Sequence, residues 1–244
     1  MLTNELKEII AGSNNIVFFG GAGTSTESNI PDFRSQEGLY QNKNNYKYAP
    51  EVMLSHDFFM KQTEEFYRFY KEKMIYMEAR PNPAHIALVK LEKLDKLKAI
   101  ITQNIDGLHQ MAGSNNVLEL HGSINRNYCM DCGESYSLEY IIGTETIIPV
   151  CEKCGGIIKP DVVLYGEQLN NRTIQEAVEF ISKAEVLIIG GTSLAVYPAA
   201  GLVDYYLGNK LVLLNKSVTS SDKKANLVIH DSIGEVLEKV VNQL

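Results

Sequence analysis

No apolar run in the sequence approaches the ~20 residues needed to cross a bilayer. The opening segment, MLTNELKEIIAGSNN, mixes charges into its apolar pattern, so it does not read as a secretory signal. Basic charge is also short. The chain has 23 Lys and Arg against 30 Asp and Glu, a net charge of −7. A duplex-binding protein normally carries a basic surplus or stripe, because neutralising phosphates supplies much of its affinity. Neither a membrane nor direct nucleic-acid contact is therefore expected, and a cytoplasmic location is. An acidic chain more naturally meets basic partners, such as lysine-rich segments. Internal repeats and long low-complexity segments are absent, and cysteine is confined to four residues in one short stretch.

What is present is a set of short apolar runs: Ile16–Gly20, Ala99–Thr102, Val117–Leu120, Val162–Tyr165, Val186–Gly190, Leu211–Asn215 and Leu227–His230. Most are continuous rather than alternating, as in parallel strands buried on both faces. Helical patterns separate several of them, at Leu2–Ala11, Ala84–Leu94, Thr173–Lys183, Ala199–Leu207 and Ile233–Val241. Strand alternating with helix predicts an α/β fold with a doubly wound parallel sheet of Rossmann type. Two stretches break the rhythm. Residues 35–79 are polar and aromatic, with one long helix expected over Asp57–Met77 and closed by Pro81 and Pro83. Residues 123–157 hold every cysteine. Both read as insertions that together make a smaller lobe, a helical insert plus a ribbon. The main domain then comprises 1–34, 80–122 and 158–244.

The cysteines form two C-x₂-C pairs, Cys129/Cys132 and Cys151/Cys154, 18 residues apart and beside turn glycines. That spacing is a zinc-site pattern. Four thiolates fill a tetrahedral Zn²⁺, so the metal is expected to be structural, holding a lobe with little core of its own, and not to activate water. Two disulfides or free thiols are the alternatives, and a reducing compartment disfavours the first.

The run Ile16–Gly20 leads straight into Gly20-Gly-Ala-Gly-Thr-Ser-Thr26. Glycines after a strand let backbone N–H groups approach a phosphate. Taken as G-x-G-x-x-G, the motif has Gly21 and Gly23 but Thr26 in the third place, and no acid ends a second strand about 20 residues on. Alone it is weak. The longer run from Gly21 to Arg34, GAGTSTESNIPDFR, is specific. It resembles the NAD-binding signature of the sirtuins, GAGxSxxSGIPxFR, with Asn29 where glycine is usual. Asn tolerates positive φ, so the loop is expected to keep its shape. Three further motifs match the family in order: Thr102-Gln-Asn-Ile-Asp106, Leu120-His-Gly122 and Gly191-Thr-Ser-Leu194. With the ribbon, the resemblance covers about Ile16 to Leu237 and implies a bacterial- or archaeal-type sirtuin.

The resemblance implies an NAD-dependent protein-lysine deacylase. In that chemistry the acyl oxygen attacks the nicotinamide ribose and nicotinamide leaves. A base then helps the ribose 2′-hydroxyl take the acyl group, giving free lysine and O-acyl-ADP-ribose. His121 matches the family's base, as suits a group titrating near neutrality. Asn104 joins it as catalytic, and with Gln103 should orient the ribose. Asp106 and Ile105 should hold the nicotinamide carboxamide, and Phe33 should cover the reacting face. Arg34 should fix the loop and phosphates, and Ala22 and Thr26 should touch the cofactor. Thr192 and Ser193 should meet phosphate or ribose, Asn215 the adenosine ribose, and Ser232 the adenine. Asp106 equally suits a helix cap, since a helical pattern begins behind it. A lone histidine is usually structural, and His56, His85, His109 and His230 are read that way.

Val163, Tyr165 and Gly166 on one side and Val196 on the other match the segments between which an acyl-lysine peptide would add as a strand. Family members that prefer acidic acyl groups carry Tyr-x-x-Arg in the insert. Here Tyr67 fits but Tyr70 replaces the arginine, and Arg68 lies about 100° around the helix. Tyrosine cannot supply the missing charge, so acetyl and other uncharged acyl groups are expected. The rival expectations are an NAD-dependent ADP-ribosyltransferase, a deacylase of longer uncharged chains, and a zinc-ribbon adaptor without NAD chemistry.

Overall fold

The computed structural model describes residues 2–33, 38–39 and 47–244. After helix α1 (Leu2–Ala11) comes strand β1 (Ile16–Gly20), every residue of which is buried. Successive side chains of a strand point to opposite faces, so such a run needs cover on both sides. Ile16 and Phe18 enter one core and Val17 and Phe19 another. The same division holds in β2 (Leu97–Thr102), where Ile100 faces the first core and Ile101 the second. With β3 (Val117–Glu119), these strands form half of a six-stranded parallel sheet.

The helical insert supplies α2 (Pro50–Met53), α3 (His56–Lys61) and α4 (Thr63–Lys73), and α5 (Pro83–Lys93) returns the chain to β2. After β2 comes α6 (Leu108–Ala112). The ribbon contributes β4 (Gly122–Cys129), β5 (Ser135–Tyr136), α7 (Leu138–Gly143) and β6 (Ile158–Val162). The chain then completes the large sheet with α8 (Asn171–Lys183), β7 (Val186–Gly190), β8 (Leu211–Leu214), β9 (Leu227–Ile229) and α9 (Ile233–Val241).

The large sheet has the order β3-β2-β1-β7-β8-β9. This is the doubly wound order, reversing between β1 and β7, where such sheets place their ligands. Helices α1, α5 and α9 cover one face, through Leu6, Ile10, Leu88, Leu91, Val236 and Leu237. Helix α8 and the 3-10 turn Ala199–Tyr205 cover the other, through Ala177, Ile181, Ala199 and Leu202. A fully buried side chain of this kind contributes roughly 1.5–3 kcal/mol. No helix among the described residues is long and apolar enough to cross a membrane.

The smaller lobe departs from the sequence reading in three ways. The helix expected over Asp57–Met77 is two helices, broken at Gln62, whose backbone leaves helical geometry (φ −138°, ψ 50°). No Gly or Pro marks the break. The halves are anchored to different places: His56 N–H bonds to the Tyr165 carbonyl, while the Tyr67 hydroxyl donates to the Ile158 carbonyl. Second, the strand lies at Ile158–Val162 and not at Val162–Tyr165. It pairs with β4 in a three-stranded antiparallel sheet of order β5-β4-β6. Pro160 is tolerated because β6 is an edge strand of that sheet, and the small sheet therefore runs past residue 157. Third, the lobe has a substantial core. Phe58, Phe59, Phe66, Tyr67, Phe69 and Tyr70 of the insert pack with Ile124, Cys129, Ile141 and Cys151 of the ribbon.

Candidate active site

The two loops at the reversal point are forced together. β1 and β7 are neighbours, and both end in glycine. The chain after each is held by the other: Gly21 N–H donates to Gly190 C=O (3.1 Å) and Gly23 N–H to Gly191 C=O (2.8 Å). A Cβ on Gly23 would stand 2.7 Å from the Gly191 Cα, and Gly191 itself has φ +62°. Only glycine fits such a crossing. The Thr26 hydroxyl then donates to Gly23 C=O (3.0 Å), and Asn29 takes the left-handed conformation expected of it (φ 62°).

These loops form the floor of a cleft of about 1040 Å³. Its volume is at the upper end for small-molecule sites. Ala22, Thr26, Phe33, Gln103, Asn104, Ile105, Asp106 and His121 line it. So do Val163, Tyr165, Gly166, Thr192, Ser193, Val196 and Asn215. The structure thus brings together residues from six separate stretches of chain. Ser232 is not among the lining residues. It stands at the N-terminus of α9, and its neighbour Ile233 reaches the cleft instead. Arg34 lies outside the described residues.

His121 follows β3. Its Nδ1 lies 3.0 Å from the Gln103 carbonyl oxygen. A carbonyl only accepts, so Nδ1 carries the hydrogen and Nε2 keeps its lone pair. Burial pushes the His121 pKa below its ordinary value, partly offset by that bond. The ring is therefore neutral at pH 7, in the tautomer a base needs. A second network lies beside it. Asn104 Nδ2 donates to Ser25 Oγ (2.9 Å), and Ser25 Oγ donates to Asp106 Oδ2 (2.7 Å). Asp106 Oδ1 accepts from Leu108 N–H (2.9 Å), so the carboxylate also satisfies the first N–H of α6, whose N-cap is Gly107. Burial raises the Asp106 pKa, and its two hydrogen bonds pull the other way. Ser25 was not singled out from the sequence. Its signal was its place in the loop motif, but its role as a link needed the fold.

At the other end, Asn215 and Thr192 clasp each other. Thr192 N–H donates to Asn215 Oδ1 (3.0 Å), and Asn215 Nδ2 donates to Thr192 C=O (3.2 Å). Gln103 Nε2 reaches Thr192 Oγ1 (3.1 Å), which links the two ends. Asn82, also missed, supports the loop from behind. It is buried, and its Nδ2 donates to Thr24 C=O (2.8 Å) and Ser28 Oγ (3.0 Å).

The wall toward the smaller lobe is mainly apolar, with Leu54, Met74, Ile105, Ile124, Val162 and Leu164, and Lys73 and Glu139 also reach the cleft from that lobe. Tyr67 and Tyr70 are not part of it. Both are fully buried in the lobe core, and the Tyr70 hydroxyl has no hydrogen-bond partner. The expectation that position 70 points into the acyl channel is thus corrected: α4 turns it inward, because the lobe core needs that face of the helix.

The four cysteine Sγ atoms lie within 4.8 Å of one another. The pairs Cys129/Cys154 and Cys132/Cys151 are 3.4 Å and 3.6 Å apart. A disulfide needs about 2.05 Å, whereas a tetrahedron with ~2.3 Å metal–sulfur bonds has edges near ~3.8 Å. The set fits a four-thiolate zinc site and leaves no position for a reacting water.

The Sir2 family model matches residues 21–198. The NAD-dependent protein deacetylase of Clostridium acetobutylicum is 67% identical over 238 residues, covering 98% of this chain and 97% of that protein. Among solved structures, one described as Sir2 with p53 peptide and NAD+ is 39% identical, with a TM-score of 0.88 over 100% of this chain and 98% of that one. A Sir2 variant bound to deacetylated p53 peptide and 3′-O-acetyl ADP ribose is also 39% identical, with a TM-score of 0.91 and the same coverage.

Proposed function

The chain belongs to the Sir2 family, and from that premise we infer that it is an NAD-dependent protein-lysine deacetylase. Its products are nicotinamide, O-acetyl-ADP-ribose and free lysine. The carrying observation is that His121, in the base tautomer, shares one cleft with the Asn104–Ser25–Asp106 network and the crossed glycine loops. The donor set suits a dinucleotide: side-chain amides and a carboxylate at one end, and Thr192, Ser193 and Asn215 at the other.

NAD supplies an electrophilic ribose carbon and a departing nicotinamide. The protein supplies placement and proton transfer. Asp106 and Ile105 hold the carboxamide. Asn104, fixed by Ser25, orients the nicotinamide ribose with Gln103, while Phe33 and the apolar wall exclude water. His121 Nε2, left with its lone pair, would accept the proton of a bound ribose hydroxyl as the general base of acyl transfer. Ala22 and Thr26 would contact the cofactor within the loop, and Ser232, next to the lining Ile233, would lie on the adenine side. Cys129, Cys132, Cys151 and Cys154 would hold a zinc ion, whose role would be structural.

The peptide enters between Val163–Gly166 and Val196. Part of this main chain is already committed: Val163 N–H to His121 C=O, Tyr165 N–H to Leu54 C=O, and Tyr165 C=O to His56 N–H. The incoming backbone therefore meets Val163 C=O and Gly166. Few groups are left for sequence readout, which favours broad peptide selectivity. The mainly apolar wall favours uncharged acyl groups, since a buried carboxylate needs a cationic partner and, among the described residues, the one lysine of the lobe at the cleft, Lys73, is paired with Glu72. The insert 35–79 and the ribbon 123–157, with β6, act as one lobe over this channel, and the setting is cytoplasmic.

The test is incubation with NAD and acetyl-, propionyl- and succinyl-lysine peptides, with mass spectrometry of all products. Equal yields of nicotinamide, free lysine and O-acetyl-ADP-ribose are expected, with little succinyl turnover. ADP-ribose attached to protein, without acyl transfer, would refute the assignment.

A further inference from the structure

His230, at the end of β9, has no part in the mechanism above and does not line the cleft. Its imidazole nevertheless stands between two acceptors. Nδ1 lies 2.9 Å from the Asn215 carbonyl oxygen, and Nε2 lies 3.0 Å from Asp222 Oδ2. Neither a carbonyl nor a carboxylate can donate, so both ring nitrogens must carry hydrogen. The bridge is that of an imidazolium.

What it bridges matters. Asn215 is the residue clasped to Thr192, and through it to Gln103. Asp222 holds the opposite rim: its Oδ1 accepts from Thr219 N–H (2.9 Å) and Thr219 Oγ1 (2.7 Å). Thr219 lines the cleft, as do Lys216, Ser217 and Val218 between it and Asn215. The Thr219 bonds, with the His230 charge, hold the Asp222 carboxyl below the usual carboxylate range, so the acceptor stays ionised. The other charged groups on surrounding elements are Lys216 after β8, Lys223 and Lys224 of the 3-10 turn, Asp231 next in sequence, and Glu27. Lys224 pairs with Asp204, Asp231 accepts from Ser232 N–H, and Glu27 accepts from Gly234 N–H. Among the described residues, Asp222 is the one carboxylate within ion-pair distance of the ring.

We propose that His230 in its charged form is a positioning residue for the dinucleotide, tying the end of β8 to the Thr219 turn and so setting the width of the adenosine end of the cleft. This rests on the reading of Asn215 as a contact to the adenosine ribose. A neutral imidazole keeps one donor and loses one of the two bonds. NAD affinity should therefore be lower wherever the bridge lacks its second hydrogen, independently of the base role of His121.

The experiment measures KM for NAD and kcat from about pH 5.5 to about pH 8.5. In the wild type, KM for NAD should rise about threefold to tenfold across this range, a modest change because the ring is partly exposed. His230→Ala should show the high KM at every pH, with kcat within about twofold of the wild type. Asp222→Asn is the conservative control. Its amide oxygen can keep the Thr219 bonds while its NH₂ donates to Nε2 of a neutral ring. That variant should keep a low KM that no longer varies with pH. A wild-type KM that is flat with pH, or a His230→Ala KM equal to the wild type, would overturn the proposal. Asn215→Ala separates the two levels. If it leaves KM for NAD unchanged, the reading of Asn215 fails. If it raises KM while His230→Ala does not, only the role of His230 fails.

Discussion

Two histidines buried behind the cofactor loop should make the protein sensitive to mild acid. His85, in the first turn of α5, and His109, in α6, are 0% and 1% exposed, with ring centroids 4.7 Å apart. His85 Nδ1 accepts the Asn82 N–H (3.2 Å), so its single hydrogen sits on Nε2, which has no partner. Neither nitrogen of His109 has a partner. Burial alone pushes His85 down to about 4. Burial, and then the neighbouring His85, push His109 to about 3. Both values lie below the ordinary 6.5 of the unfolded chain. Between these limits the unfolded state binds more protons. The stability from keeping the rings neutral is thus complete above pH ~6.5 and lost as pH falls toward ~4 and ~3. At ~1.4 kcal/mol per unit, the loss from pH 7 to about 4.5 is roughly 2.5 kcal/mol for each ring, or about 5 kcal/mol together. That is a large share of a typical stability of 5–15 kcal/mol. Protonating His85 would also displace the Asn82 N–H, and with it the residue that supports Thr24 and Ser28. Urea unfolding at several pH values provides the assay. The free energy should fall by about 2.7 kcal/mol per pH unit near pH 5, and His109→Leu should remove about half of that slope. An unchanged slope in the variant, or a wild-type stability that is flat between pH 6.5 and 4.5, would show that the rings are hydrated or paired and the reasoning wrong.

The remaining expectations concern the base, the ribbon and the small-lobe core. His121→Ala should lower kcat by ~10²–10⁴ with NAD binding retained, and the acid limb of the wild-type kcat profile should fall below pH 6.5, since burial lowers this group. Cys129→Ser or Cys151→Ser should lose zinc, measured by metal analysis, and reduce soluble protein; full metal stoichiometry in either would contradict four-thiolate ligation. The aromatic core of the lobe should leave some of its helical signal after zinc removal. Tyr70→Phe should be neutral or stabilise by about 1 kcal/mol, because it deletes a buried hydroxyl without a partner. Clear destabilisation in a urea titration would instead reveal a buried partner for that hydroxyl.

Much of the candidate site was legible in the sequence because its motifs, weak singly, match those of the Sir2 family in order along the chain. The glycine run after an apolar strand and the paired C-x₂-C motifs also restrict the chain locally, whereas Thr102–Asp106 and Leu120–Gly122 were readable through the family resemblance and their strand-end positions. Asn29 stood out as a residue able to take positive φ, and it does. The continuous apolar runs announced a parallel sheet covered on both faces, and the sheet has the expected doubly wound order. What only the tertiary structure decided was direction and partnership. Whether Tyr70 faced a channel or a core depended on how α4 docks against the ribbon, which no local pattern encodes. The break at Gln62 accompanies two separate anchors, the Tyr165 carbonyl beyond β6 for one half and the Ile158 carbonyl in β6 for the other, and not a helix-breaking residue. The strand Ile158–Val162 was hidden by its charged alternate positions and Pro160, and is held by pairing with β4, about 30 residues upstream. Ser25 joins Asn104 to Asp106 across about 80 residues of sequence. His230 acquires two acceptors only when β8 and the Thr219 turn close around it. Each of these is a long-range contact, fixed by which surfaces must be buried together, and therefore invisible until the chain has folded.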